Sequence, residues 1–459
     1  MAKHILFVNP PVQVVSRWQL LQYPEPYPYG LLKLGTLLKK QKVRVSLIDM
    51  MEYAHYRDSY LSKWPSNAHV HSVKHAGGPG VKDALRPSYL LGQPMDFLRD
   101  KLQNTEKPDE IWVTSCLTFN WETAHEAIAV CKQVFPDVPV RFGGNYPSLL
   151  PEHAATSQAD EIVQGKVEEA ETEFGDLSLY ETPPEIGIFN LATGCSNRCS
   201  FCINHRWQPT LRFSPKRLLY YLLSVRKTFG IRHFANWDPN VMLFPDELNE
   251  LLDLLIEART DLTFSFNMGI QSNKVTPEIA EKMLKAGVTQ MTIPFETSDP
   301  VMLKRFHKPY RFGAPVRTLR LLRDVGFQLG RFHSCSLFGF DDEATRYLFR
   351  TYLTMVILGA RPIFSPLAPV PGSEEFERLR PQLEGKPYEE LNGYLFPLLG
   401  SKEKVELYDT LIALCHQTHV DEAAVLARTL PPKIEREFFE ELEFVEKELL
   451  HPDSAFASP

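Results

Sequence analysis

Apolar residues follow two alternating rhythms along this chain, short continuous runs and helical stripes, and the alternation occurs twice. Ile5 to Asn9 is an apolar run closed by Pro10-Pro11, the form of a strand buried on both faces. Over 29–40, Leu31, Leu34, Leu37 and Leu38 recur at helical spacing, and 43–48 reads as a second strand stopping at Asp49. Residues 51–92 break the rhythm with scattered Pro, Gly and His, which predicts an insertion that could act as a lid over a neighbouring site. Order resumes with strand 110–115, helix 121–135, strand 138–142 followed by Gly143-Gly144, strand 160–163, then Gly165 and an acidic helix over 167–174. This alternation predicts a doubly wound parallel sheet in an α/β domain spanning 1–176.

The pattern lapses around Pro183-Pro184 and then restarts. Strands are expected at 187–192, 233–236, 263–267, 290–294, 328–337 and 361–366, separated by amphipathic helices at 215–229, 245–259, 277–286 and 315–325. Several of these helices carry Pro in the first turn, and Gly287 and Gly326 follow two of them as stop signals. Six such units predict a partial (β/α)6 barrel over 187–380. The charged, Leu- and Glu-rich remainder, 381–459, predicts a small helical C-terminal cap with no chemistry assigned to it.

Composition narrows the partners. The net charge of -7 excludes a broad nucleic-acid surface, which needs clustered cations. No apolar run is long enough to span a bilayer, and the opening Met1-Ala-Lys-His lacks a signal-peptide cleavage site, so a cytoplasmic protein is expected. Seven cysteines are an odd number, and three fall within eight residues, which is no disulfide framework and directs attention to metal chemistry.

Those three stand in Gly194-Cys195-Ser-Asn-Arg-Cys199-Ser-Phe-Cys202, directly after the first strand of the second domain. Three thiolates at this spacing can each take one iron of a [4Fe–4S] cube, leaving the fourth iron open. Two alternatives stay open on spacing alone: a zinc site completed by His205, and three unrelated buried thiols.

The motif, with Phe201 before the third cysteine, resembles the signature of the radical S-adenosylmethionine (SAM) superfamily. The resemblance implies metal ligation by Cys195, Cys199 and Cys202, with SAM chelating the open iron. It also implies that reductive cleavage of SAM yields a 5′-deoxyadenosyl radical. It continues for about 180 residues. Arg212-Phe-Ser-Pro215 resembles the segment opening the first barrel helix. Asn236-Trp-Asp238-Pro-Asn240, after the second strand, stands where the family contacts the methionine end of SAM. Phe295-Glu296-Thr297-Ser298 resembles the family's Glu-Ser element at the ribose and carboxylate, with Lys308 following. Leu337-Phe-Gly339-Phe340 and Pro369-Val-Pro371-Gly372 resemble the segments enclosing adenine. The implied SAM-binding residues are thus Phe201 in the cysteine loop, with Asp238, Asn240, Glu296, Ser298 and Gly339 at strand ends, where barrel sites lie.

The first domain resembles the cobalamin (B12)-binding, Rossmann-like domains fused to such enzymes, through Ile5 to Pro11, Pro28-Tyr-Gly30, Val45 to Asp49, Gly143 to Glu152 and Asp160 to Gly165. Ligands of doubly wound sheets bind beyond the carboxyl ends of the strands, which places Asn9, Ser115, Gly143, Gly144 and Gly165 near a corrinoid. The sequence departs from the family in two places. The Asp-x-His-x-x-Gly element that gives cobalt a histidine is absent after Asp49, His55 being wrongly spaced, and Lys166 replaces an acid in the usual Gly-Glu-Gly-Glu. A degenerate domain kept for packing or docking is therefore the alternative to a cobalamin site. His69, His71 and His75 read as part of a polar loop.

The implied function is a radical SAM enzyme, with cobalamin a C-methyltransferase acting on an unactivated carbon. Without cobalamin, rearrangement, cyclisation or hydrogen abstraction is the alternative, and a non-catalytic corrinoid- or metal-binding regulatory protein is the alternative of another class. A methylthiotransferase is disfavoured because Cys116 and Cys131 stand alone. The substrate class is a small or lipid-like molecule, and the family needs an electron donor such as flavodoxin or ferredoxin.

Overall fold

The computed structural model describes residues 3–14, 28–51, 70–73, 88–207, 210–328, 330, 332–340, 343–395, 402–415, 417 and 419–450. The chain divides into two compact units. The first comprises 1–188, 368–372 and 376–397, and the second 189–367, 373–375 and 398–459.

In the first unit, β1 (His4–Asn9), β3 (Arg44–Asp49), β6 (Glu110–Thr114), β7 (Val140–Gly143) and β8 (Glu161–Ile162) form a parallel sheet in the order β3-β1-β6-β7-β8. Burial on both faces explains the apolar runs. Leu6, Val8 and Ile111 pack toward Ala127 and Ile128 of the helix Trp121–Val134, while Ile5 and Phe7 pack toward Leu31 and Leu38 of the helix Tyr29–Lys40. The order reverses between β1 and β6, and such a switch point is where doubly wound sheets bind ligands. The acidic helix is shorter than the sequence predicts, Glu168–Glu171.

A separate antiparallel sheet, β2 (Val12–Val14), β5 (Ser88–Leu91) and β4 (Val70–Val73), gives the insertion more order than its composition suggests. His55, His69 and His75 lie outside the described residues.

The second parallel sheet has six strands in sequential order, β9 (Ile186–Phe189), β10 (His233–Asn236), β11 (Thr263–Phe266), β12 (Val288–Glu296), β13 (Phe332–Phe338) and β14 (Arg361–Pro366), and β10 to β14 lie wholly in the second unit. The pairs from β10 to β14 are parallel. The helix Pro215–Phe229 is capped by Ser214, whose side chain accepts from the Arg217 N–H, and ends on left-handed Gly230. This is the start and stop chemistry its sequence carries.

The cap expected at 381–459 is divided between the units. Residues 376–397 cluster with the first, because Tyr388 packs edge-on at 4.7 Å against His153 and the Trp121 Nε1–H donates to Glu389 at 2.8 Å. The remaining helices, Lys402–Leu414, Val420–Ala427 and Pro432–Leu450, join the second unit. There Arg350 grips Glu441 through two bonds of 2.7 and 2.9 Å, and Phe438 meets Phe349. Among the described residues no helix is long and apolar enough to cross a membrane.

Candidate active site

The cysteine loop leaves β9 at Phe189, and its course is set by one buried carboxylate. Asp238, just beyond β10, accepts from the Leu191 and Ala192 N–H groups, both at 2.9 Å, and from the side-chain amides of Asn190 and Asn236 at 3.2 and 3.1 Å. Burial pushes this carboxyl up to about 7, while each of the four donors favours the ionised form. The ionised form alone can accept from all four. Through both oxygens Asp238 thus shapes the strand exit that leads to Cys195.

The far end of the loop is clamped from elsewhere in the chain. Ser200, between the second and third cysteines, donates through its hydroxyl to Glu375 at 2.9 Å, and its carbonyl accepts from the Glu375 N–H at 3.0 Å. Arg305 closes on the same carboxylate at 3.1 and 2.7 Å, and the Glu375 side chain is fully buried. A third support is Gln271. Its carbonyl accepts from Asn240 at 3.0 Å and from Asn197 of the loop at 3.4 Å, so Asn240 touches the cysteine loop through an intermediary. Sequence reading missed Glu375, Arg305 and Gln271. Ser200 and Glu375 are 175 residues apart, and no local pattern announces such a pairing.

Opposite the loop, Glu296 ends β12 in the left-handed region at φ 61°, unusual for a non-glycine residue. Its Oε1 accepts from Lys308 Nζ at 2.7 Å, and both side chains are buried. Burial alone would lower the Lys308 pKa, but Glu296, Tyr310 and Cys199 outweigh it and hold the ammonium well above its ordinary value. Lys308 also sits over the rings of Phe201 and Tyr310, at 5.6 and 5.3 Å from their centroids. The Glu296 Oε2 has no bond to a described residue.

Ser298 is committed: its N–H donates to Thr351 Oγ1 at 2.8 Å and its hydroxyl to the Tyr347 carbonyl at 3.0 Å. Gly339 takes φ 99°, where a side chain would be strained, and its N–H donates to Glu343 at 2.9 Å.

The three thiols suit an iron–sulfur cluster. Burial pushes Cys199 up to about 11, and Cys195 and Cys202 add to the rise, which requires the three to be neighbours. Burial likewise raises Cys202. Such thiols lose their protons when a metal takes the charge, and the Lys308 ammonium favours the same state. Among the described residues no three His, Cys, Asp or Glu side chains converge where one ion could sit. A cube asks for something else, one thiolate on each of three irons. His205 keeps a buried Nδ1 with no hydrogen-bond partner among the described residues.

At the carboxyl edge of the first sheet, Asn9 donates to Asp49 at 2.7 Å, and Asp49 also accepts from the Tyr180 hydroxyl at 2.7 Å. Gly144 is glycine for an internal reason. At φ 109° an added Cβ would stand 2.4 Å from the Ser115 carbonyl oxygen, so the close approach is between β6 and β7. Gly143 would meet only Val163 at 3.6 Å, and Gly165 faces open space.

Residues 189–345 match the sequence model of the Radical SAM superfamily, and the cysteine loop lies within the matched residues. The matched segment follows the doubly wound sheet along the chain.

Particular relatives follow. Over 297 residues it is 26% identical to bacteriochlorophyllide d C-12(1)-methyltransferase of Chlorobaculum tepidum, covering 56% of this chain and 63% of that protein. It is 23% identical to anaerobic magnesium-protoporphyrin IX monomethyl ester cyclase of Cereibacter sphaeroides, covering 47% of this chain and 36% of the relative. The chain thus spans less than two thirds of the length of either. The structure of the cobalamin-dependent SAM radical enzyme OxsB with aqua-cobalamin bound superposes with a TM-score of 0.58 at 13% identity, covering 98% of this chain and 80% of that one. That likeness speaks for the fold across both units.

Proposed function

We propose that this protein is a radical SAM enzyme holding a [4Fe–4S] cluster on Cys195, Cys199 and Cys202, and that it methylates an unactivated carbon of its substrate with cobalamin in the first unit. The observation that carries the reading is the cysteine loop, fixed by Asp238 at one end and Glu375 at the other, facing the Lys308–Glu296 pair. When bound, the cluster supplies the electron that splits the SAM sulfonium and releases a 5′-deoxyadenosyl radical. Cobalamin, when bound, supplies a methyl carrier.

The chain's own residues prepare the site. Asp238 and Glu375 hold the loop so that the thiols need not reorganise as a cluster binds. Lys308 offsets thiolate charge, and the uncommitted Glu296 oxygen is suited to accept from a hydroxyl or ammonium of SAM. Ser298 and Asn240 hold the surrounding loops in place. In the first unit the Ser115 hydroxyl, at the switch point, has no described partner and is suited to a corrin amide.

The named activities of the two curated relatives, on a bacteriochlorophyllide and a magnesium protoporphyrin ester, support an extended, largely apolar small molecule as substrate. An electron donor such as flavodoxin or ferredoxin and a cytoplasmic location complete the proposal.

Anaerobically reconstituted protein, given SAM and a reductant, is expected to form 5′-deoxyadenosine and methionine in equal amounts. S-adenosylhomocysteine should appear as well once hydroxocobalamin is added. Iron-loaded protein that leaves SAM intact would overturn the enzymatic reading. Deoxyadenosine without S-adenosylhomocysteine would overturn the methyltransferase part and favour rearrangement or hydrogen abstraction.

A further inference from the structure

Lys166, the residue that departs from the acidic family pattern, occupies a built position at the carboxyl edge of the first sheet. The Ser148 hydroxyl donates to the Gly144 carbonyl at 2.6 Å and accepts from the Gly165 N–H at 3.0 Å, tying the loop after β8 to the loop after β7. This tie holds Lys166 beside Asn145, with Nζ 3.5 Å from Oδ1, and Asn145 in turn reaches Cys116 Sγ beyond β6 at 3.5 Å. Three loop residues, one from each strand end, therefore line one edge.

Lys166 is half-buried, and among the described residues it has no carboxylate within ion-pair reach. The acids nearby in sequence are committed elsewhere or turned away: Glu171 pairs with Lys33 at 3.1 Å, Glu173 with Lys40 at 2.6 Å, and Glu168 and Glu169 are exposed. A half-buried ammonium whose described acceptor is one amide oxygen at 3.5 Å, on the edge where doubly wound sheets take ligands, keeps further donors for an oxygen acceptor from outside the chain. Its distance from the switch point narrows the choice. β8 lies two strand spacings from β6, about 10 Å. A group there meets the periphery of a large macrocycle centred between β1 and β6, and not its metal.

We infer that Lys166, steadied by Asn145, is a recognition point for a peripheral oxygen of a corrinoid bound on this sheet. The inference rests on the cobalamin reading. A corrinoid offers two such oxygens, the amide carbonyls of the corrin side chains and the phosphodiester of the nucleotide loop, and both accept from an ammonium. Lys166 so placed compensates on the corrin rim for the histidine missing after Asp49.

The test is equilibrium binding of hydroxocobalamin to full-length reconstituted protein, followed in the visible spectrum, for the wild type, Lys166→Met and Lys166→Arg. Lys166→Met should weaken binding about tenfold, equivalent to about 1.4 kcal/mol, with an unchanged melting temperature, and Lys166→Arg should recover most of it. If the oxygen is the phosphodiester, raising salt should weaken the wild type more than Lys166→Met. Repeating the series with dicyanocobinamide, which lacks the nucleotide loop, assigns the oxygen. A penalty that persists belongs to a corrin amide, and one that disappears belongs to the phosphodiester. Equal affinity of wild type and Lys166→Met for both corrinoids would overturn the inference while leaving the cobalamin reading standing. Failure of the wild type to retain either corrinoid would overturn both.

Discussion

Alanine at Cys195, Cys199 and Cys202 together should abolish the brown chromophore, remove the iron and stop SAM cleavage, while the protein stays folded. Three thiolates are the whole cysteine anchorage of an open cube. The fold should survive because the loop is held by groups other than its thiols: the Asp238 bonds to Leu191 and Ala192, and the Glu375–Ser200–Arg305 clamp. Iron and sulfide analysis with a thermal melt checks both halves. Near-stoichiometric cluster in the triple variant would place the iron elsewhere.

The second large effect is expected at Asp238. Asp238→Ala leaves four buried donors without an acceptor, each costing roughly 1–3 kcal/mol when orphaned. Relaxation and entering water will recover part of this, so a net loss of about 3 kcal/mol is a fair expectation, lowering the melting temperature by roughly 6–12 °C. Cluster occupancy should fall with it, because the loop exit is no longer fixed. Asp238→Asn should also destabilise, since its amide N–H₂ would face donors. The combination that would reject this role is an unchanged melting temperature with an intact cluster and lost SAM affinity, the signature of a direct cofactor contact.

Much of the architecture was legible in the sequence, for a physical reason. β1 is buried along nearly its whole length and appears as an apolar run, β6 and β7 alternate buried with half-buried positions, and the helices show stripes at 3.6-residue spacing. The cysteine loop was legible because its chemistry is local, three thiols within eight residues. What sequence could not display is what depends on distant partners. Asp238 stood out by its motif, but its motif does not say that backbone amides of another strand's exit take both oxygens. Glu375 carries no motif and is recognisable only once folding sets it against Ser200 and Arg305. The division of 381–459 was hidden for the same reason, since Tyr388 and Glu389 find their partners at His153 and Trp121. Gly144 shows the converse: a glycine at a strand end suggested room for a ligand, and the structure puts the Ser115 carbonyl there.

The central claim is that Cys195, Cys199 and Cys202 hold a cube whose fourth iron is open to SAM. Electron paramagnetic resonance of the dithionite-reduced, anaerobically reconstituted protein tests it most directly, with spectra recorded before and after SAM is added. A reduced [4Fe–4S] signal that changes its g values on adding SAM, and is absent from the triple alanine variant, is the predicted result. A cluster signal that SAM leaves untouched, or one that persists without the three cysteines, would contradict it.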